Sequence, residues 1–279
     1  MVTDRLTDTV YFSKWLLRDF PTVAENLCHK LGRHGIEYGF LNHTKDYWCR
    51  DYMPVQVSST KFVQYQYAPD YLSAPKDKNY ITDPSRTLNE LGIPTLKTHL
   101  IIDGGNVIKS PDKVIMTEKV FYENRDIPRE KLISTLEELF ECPTVFLPWD
   151  RAEKHGHADG IVRWVNGDTV LLTAYEESGY FSRRFRKALE ACFDVVEMKF
   201  TTHSRHKDLS WAYINFLQTK NIIIVPTFSI AEDEQALQQI ERAFPDYQGR
   251  IECVDASEVI GHGGGFNCIS WNIQSKVIP

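Results

Sequence analysis

No run of apolar residues in this 279-residue chain approaches the ~20 that a membrane-spanning helix needs, so no membrane role is expected. No cluster of Lys and Arg occurs and the formal net charge is −6, which argues against nucleic acid as a partner and agrees weakly with a cationic substrate. The opening residues Met1-Val2-Thr3-Asp4-Arg5 do not lead from a basic segment into an apolar one, so no secretory signal is expected. Cysteine is sparse and irregular. The six residues (28, 49, 142, 192, 253 and 268) form no CxxC and no pairing rhythm, a pattern of reduced thiols in a cytosol rather than of a disulfide framework. No Ser/Gly-rich linker divides the chain. With 42% hydrophobic and 25% charged residues, one α/β domain over residues 1–279 is expected.

What is present alternates between strand and helix patterns. Apolar residues at three- and four-residue steps make Tyr11 to Leu31 read as helix, with Pro21 as a break or restart. Pro84 to Gly92, Pro128 to Phe140, Ser182 to Phe193 and Asp233 to Phe244 read as further helices. Short strands are expected at Ile36–Leu41, Phe62–Tyr65, Leu100–Ile108 around a glycine turn, Val114–Met116, Val145–Leu147, Thr169–Leu172, Asp194–Met198, Asn221–Pro226 and Arg250–Val254. Residues 68–84 read as a long surface loop, of a length that is often functional. The beat is strand–strand–helix–strand, roughly fifty residues per unit and about five units, as in propeller-like repeats.

Four clusters carry chemistry. In Trp48-Cys49-Arg50-Asp51 an Arg-Asp pair beside aromatics ordinarily holds a turn; the sharper reading has Asp51 pointing into a pocket to anchor a cation, with Arg50 behind it. In Asp103-Gly104-Gly105-Asn106 the glycines suit a strand–turn–strand corner, but Asp103 closes an apolar strand and needs a fixed donor, which a histidine would supply. In His155-Gly156-His157-Ala158-Asp159, a strand would put 155, 157 and 159 on one face. That set suits either an acid–base pair or a metal. The metal needs further ligands; His203 and His206 are available but lie in a polar basic segment that reads as an exposed loop, and the HxHxDH pattern of metallohydrolases is broken by Gly160, so no metal is expected. In Gly263-Gly264-Gly265-Phe266-Asn267-Cys268, bare backbone precedes a cysteine at the mouth of a strand, a plausible nucleophile. The ordinary fate of a single cysteine is a buried structural thiol, and the other five are assigned to it. A lipase-type reading of His262-Gly263-Gly264-Gly265 fails because no GxSxG occurs.

In this order the four clusters resemble the guanidine-modifying enzymes, in the branch of agmatine deiminases and bacterial (Porphyromonas-type) peptidyl-arginine deiminases. Trp211-Ala212-Tyr213-Ile214-Asn215-Phe216 and Ile222–Pro226 also look like the family's YxNF…VxxP segment. The resemblance runs from about residue 45 to the end. It implies a five-bladed α/β propeller, the pentein fold, with the clusters meeting at its axis. It also implies a cytoplasmic hydrolase of agmatine, arginine or peptidyl-arginine type, without metal or organic cofactor, often dimeric; with agmatine it would serve putrescine biosynthesis. Cys268 would attack the guanidinium carbon, His157 would act as acid and then base, and Asp103 would orient His157. Asp51 and Asp159 would each take paired N–H groups of the guanidinium. Trp48, Arg50, Asn106, Gly264 and Gly265 would complete the substrate site. An amidinotransferase, a dihydrolase and a catalytically silent guanidinium binder share these motifs. The chain departs from the pattern at Asp103, usually glutamate, and at Phe266-Asn267, where histidine commonly precedes the cysteine; it is also short at its N-terminus, in the region that shapes the agmatine tail pocket. Tail contacts are expected in the 68–84 loop and around Arg163, Trp164 or Phe266.

Overall fold

A computed structural model of the chain describes residues 1–174, 179–201 and 210–275, the side chains of residues 210 and 211 excepted. In chain order, β1 (Thr9–Ser13) leads through α1 (Lys14–Asp19) and α2 (Pro21–Arg33) to β2 (Glu37–Leu41), and α3 is the single turn Cys49–Tyr52. Then come β3 (Val55–Gln56), β4 (Phe62–Gln66), α4 (Ser85–Leu91) and β5 (Leu96–Ile101). They are followed by β6 (Ile108–Lys109), β7 (Val114–Thr117), α5 (Lys119–Glu123), α6 (Arg129–Phe140) and β8 (Thr144–Leu147). The later elements are β9 (Val162–Asn166), β10 (Thr169–Leu172), α7 (Tyr180–Leu189), β11 (Asp194–Glu197) and α8 (Ser210–Ile214). The chain goes on through β12 (Leu217–Gln218), β13 (Ile223–Thr227), α9 (Glu232–Ala243), β14 (Ile251–Asp255), α10 (Ser257–Ile260) and β15 (Ser270–Ile273).

Among the described residues the strands form five three-stranded sheets: β3-β4-β5, β6-β7-β8, β9-β10-β11, β12-β13-β14 and β15-β1-β2. In each, the first pair is antiparallel and the second, joined through the helical segment, is parallel. This is the five-bladed α/β propeller. The fifth blade takes its first strand from the far end of the chain: Thr9 to Phe12 run against Ile273 to Ser270 and close the ring.

Local sequence explains most elements. Pro21 occupies the first turn of α2, where its missing N–H costs nothing, and Val23, Ala24, Leu27 and Leu31 then bury one face. Leu132, Leu136 and Phe140 do the same for α6, and α4 stops at Gly92 in the left-handed region, φ +67°. Two expectations are corrected. Tyr11 to Ser13 are strand, because β1 is the central strand of its sheet and its neighbours on both sides impose extended backbone. Residues 155–160 are not a strand; Ala158–Gly160 is a 3-10 turn. The strand, glycine turn and second strand expected over Leu100–Ile108 are β5, the 3-10 turn Gly104–Asn106 and β6, and the turn crosses from one blade to the next. The 68–84 segment is a loop with short 3-10 turns at Asp70–Leu72 and Lys78–Tyr80. Among the described residues no helix is long and apolar enough to cross a membrane.

Candidate active site

In every blade the segment that enters the first strand is a tight turn or a short helix. α3 precedes β3, the turn 104–106 precedes β6, the turn 158–160 precedes β9, α8 precedes β12, and residues 266–269 precede β15. These segments pack on one another at the centre of the ring. They place Asp51, His157, Asp159, Asn215 and Cys268 on the wall of one cavity of about 690 Å³, with Asp103 just behind.

The partners are specific. His157 Nε2 lies 2.9 Å from Asp103 Oδ2, and its Nδ1 is 3.7 Å from Asp51 Oδ1. Gly105 donates its N–H to Asp51 at 3.0 Å. A Cβ at Gly105 would stand 2.7 Å from both Asp51 Oδ1 and His157 Nδ1, so only glycine lets these side chains meet. Asp159 Oδ2 accepts from Asn267 Nδ2 at 2.8 Å and lies 3.4 Å from Cys268 Sγ. Asn215 Oδ1 accepts the Cys268 N–H at 3.3 Å.

Burial and neighbouring charge set the protonation states. Burial raises the Cys268 thiol well above its ordinary pKa, and the Asp159 and Asp51 charges add to this against the Gly265 N–H and Asn215. The thiol is therefore neutral at pH 7. Burial alone would lower His157, but Asp51 and the Asp103 hydrogen bond override it and hold the imidazolium up to about 9. Burial, with Asp103 and Asp159, lifts Asp51 to about 6 although His157 and the Gly105 N–H oppose it. Asp103 stays below its ordinary value despite burial, because His157 and the Lys119 ammonium hold its charge. A thiol, an imidazolium and two inward carboxylates around a void suit a planar cation rich in N–H donors, to which the thiol could add.

Not every expected site residue reaches this void. Trp48 does, its ring seated on Gly264, where a Cβ would fall 2.2 Å from the indole. Gly264 and Gly265 pack against Trp48 and Asn215 rather than lining the cavity, although the Gly265 N–H acts on the thiol; in the glycine run only Gly263 reaches the lining. Arg50 turns away: it donates to the Asn267 carbonyl at 3.2 Å and to Asn272 Oδ1 at 2.7 Å. Asn106 is also withdrawn, its Oδ1 taking the Thr117 N–H at 2.8 Å. Arg163 is buried behind Asn267, whose Oδ1 it holds at 2.9 Å, Trp164 donates to Gly167, and Phe266 is core. The 68–84 loop does reach the lining, through Tyr71, Leu72, Lys76, Asp77 and Tyr80. His155 stands near the cavity mouth beside Glu153, at 3.5 Å, and does not converge with His157 and Asp159. Among the described residues no group of three or more His, Cys, Asp or Glu side chains is placed to hold a metal ion; His203 and His206 lie outside the described residues. Asn215 and Lys119 have no assigned part in the sequence reading. The repeat could have found Asn215, since it stands before a first strand as Asp51 and Cys268 do.

A sequence model of the Porphyromonas-type peptidyl-arginine deiminase family matches residues 22–273. A protein of Shewanella frigidimarina, provisionally named agmatine deiminase, is 25% identical over 278 residues, covering 83% of this chain and 74% of its own. The agmatine deiminase structure of Enterococcus faecalis superposes with a TM-score of 0.73 at 17% identity, covering 97% of this chain and 94% of the other. DDAH of Pseudomonas aeruginosa superposes with a TM-score of 0.62 at 12% identity, covering 96% and 100%. At these identities the two structures show the fold.

Proposed function

We infer the chemistry of this site from one premise: the chain belongs to the Porphyromonas-type peptidyl-arginine deiminase family. It is then a hydrolase of C–N bonds in guanidino groups, and we propose that Cys268 is its nucleophile. The observation that carries the reading is the meeting of Cys268, His157, Asp51 and Asp159 on one cavity wall.

Asp51 and Asp159 hold the guanidinium by paired N–H···O contacts. The bound cation offsets the two carboxylates that keep the thiol protonated, so the thiol gives its proton to solvent when substrate arrives. The thiolate adds to the guanidinium carbon. His157, already an imidazolium, gives its proton to the departing nitrogen, and ammonia leaves an amidino-thioether cation on Cys268. The neutral His157 then takes a proton from water as its oxygen attacks the same carbon. Collapse breaks the C–S bond and restores thiolate and imidazolium, and the remaining proton goes to ammonia. The sum is guanidinium plus water giving a ureido compound plus ammonium.

The lining favours a guanidine with a cationic tail. Among the described lining residues there are two lysines, Lys76 and Lys154, and no arginine to seat an α-carboxylate. Carboxylates at Asp77, Asp150 and Glu153 also line it, while Asp46 is buried and its carboxyl is raised to about 7 by that burial. Agmatine is therefore expected to be turned over faster than free arginine or peptidyl arginine. Ammonia release from a panel of agmatine, arginine, peptidyl arginine and methylarginines tests this. Cys268→Ser should lower turnover by roughly three orders of magnitude or more. Turnover that survives Cys268→Ser and is lost to a chelator would overturn the nucleophile. Binding without ammonia release from any guanidine would identify a silent binder, and amidino transfer to an added amine a transferase.

A further inference from the structure

The Lys119 ammonium lies where the acid–base pair meets the loop beside the cavity. Lys119, the first residue of α5, has a side chain 0% exposed. Its Nζ is 3.3 Å from Asp103 Oδ2, 3.2 Å from Asp70 Oδ1 and 3.3 Å from Glu123 Oε1, and it donates to the His155 carbonyl at 2.7 Å. The Tyr71 ring lies over it at 4.5 Å, and the same ring packs edge-on against His155 and His157, at 5.0 and 6.1 Å. Taking an ammonium wholly out of water is expensive unless its charge is matched. One carboxylate would suffice to tie α5 to the end of β5. Three converge here, and one of them, Asp70, comes from the loop.

Four oxygens surround an ammonium that has three protons. Among the described residues Asp70 Oδ1 and Glu123 Oε1 receive no hydrogen bond of good geometry, and each meets the ammonium as an ion-pair contact. Glu123 is the one that gives way: burial and the Asp103 charge push its carboxyl up to about 8, against the pull of Lys119, so it is neutral at pH 7. Of the two carboxylates that remain charged beside Lys119, Asp103 is fixed behind His157 and Asp70 alone belongs to the loop, so lifting the loop takes a negative charge away from the ammonium.

We propose that Lys119 is a positioning residue that aims Asp103 at His157 and couples this pair to the docking of residues 70–72 beside the cavity. The proposal rests on His157 being the acid and base of the reaction. With the loop seated, Asp70 offsets the ammonium and His157 keeps its proton. With the loop lifted, the unmatched ammonium favours loss of that proton. Asp51 from α3 faces the other ring nitrogen, and Asp159 and Cys268 line the same cavity; all three are untouched by the variants below.

The test is the His157 ring titration followed by NMR on the full chain without substrate, with His157→Gln assigning the signal. Because it needs no turnover, it reads the coupling even if no guanidine proves to be a substrate. Asp70→Asn should move the midpoint down by about half a unit to one unit, and Lys119→Met should move it up by a similar amount. Simple loosening of the site would instead carry the two variants together toward the ordinary histidine value. Both moving down, or neither moving, overturns the proposal. If Lys119→Met does not fold, Asp70→Asn is set against Asp77→Asn in the same loop. A downward shift confined to Asp70→Asn supports the coupling, and equal shifts or none overturn it.

Discussion

At the scale of single residues, the site works by holding charges out of their usual states. His157 keeps its proton up to about 9 and Asp51 loses its own only at about 6. The proposed chemistry needs the first charged and the second ionised. The ratio kcat/KM should therefore fall below pH about 6, as Asp51 protonates and loses the guanidinium, and again above about 9, as His157 loses the proton it must donate. Asp103→Asn removes a charge and an acceptor that favour the imidazolium, so its alkaline limb should move to lower pH; a limb that stays put would separate Asp103 from His157. Asp103 could be found in the sequence because a carboxylate ending an apolar strand requires a partner. Lys119 could not. Written as Thr117-Glu118-Lys119 it looks like the solvated start of a helix, and only the fold brings Asp103, Asp70 and Glu123 around it.

At the scale of elements, one rule organises the molecule: each blade offers its polar group from the turn that enters its first strand. The strand–strand–helix–strand beat was visible in the order of apolar runs and turn residues. Which turns face inward was visible only through the motifs, and Asn215 passed without a role because its segment was noted only for its likeness to the YxNF motif. The strand assumed for 155–160 failed for a related reason. Alternating polar residues mimic a strand, yet this segment belongs to the centre of the ring, where a 3-10 turn is needed to aim His157 and Asp159 at one cavity. The glycines of the last turn were read as room for a ligand, whereas Gly264 makes room for Trp48. Gly264→Ala should accordingly force the indole aside. It should destabilise the fold by about 1–3 kcal/mol, as overpacking does, and raise KM by displacing a wall of the cavity. Thermal unfolding and steady-state kinetics on the same sample check this, and a KM equal to that of the unmodified chain would show that Trp48 does not shape the site.

At the scale of the whole molecule, the seam between β1 and β15 is the feature that local sequence could not reveal. Its partners lie at opposite ends of the chain, and each alone reads as an ordinary short apolar stretch; the reading of Tyr11 to Ser13 as helix is the result. The seam joins the first strand to the segment that carries Cys268, so stability and activity should fail together there. Val10 is fully buried in the middle of β1. Val10→Pro removes a ladder donor from a central strand and should cost about 3 kcal/mol or more, with loss of turnover in whatever fraction remains folded. Normal unfolding temperature with turnover intact would show that the ring does not depend on this pairing. The seam also has a consequence in time. Contacts between residues some 260 positions apart close late, because the chain must give up its freedom before they return anything. On the ribosome the four earlier blades can settle in order as they emerge, while the thiol arrives with the strand that completes the circle. A nascent or half-refolded chain therefore has the carboxylates and the histidine but no positioned sulfur. Recovery of activity after denaturation should follow the slowest folding phase and none of the faster ones.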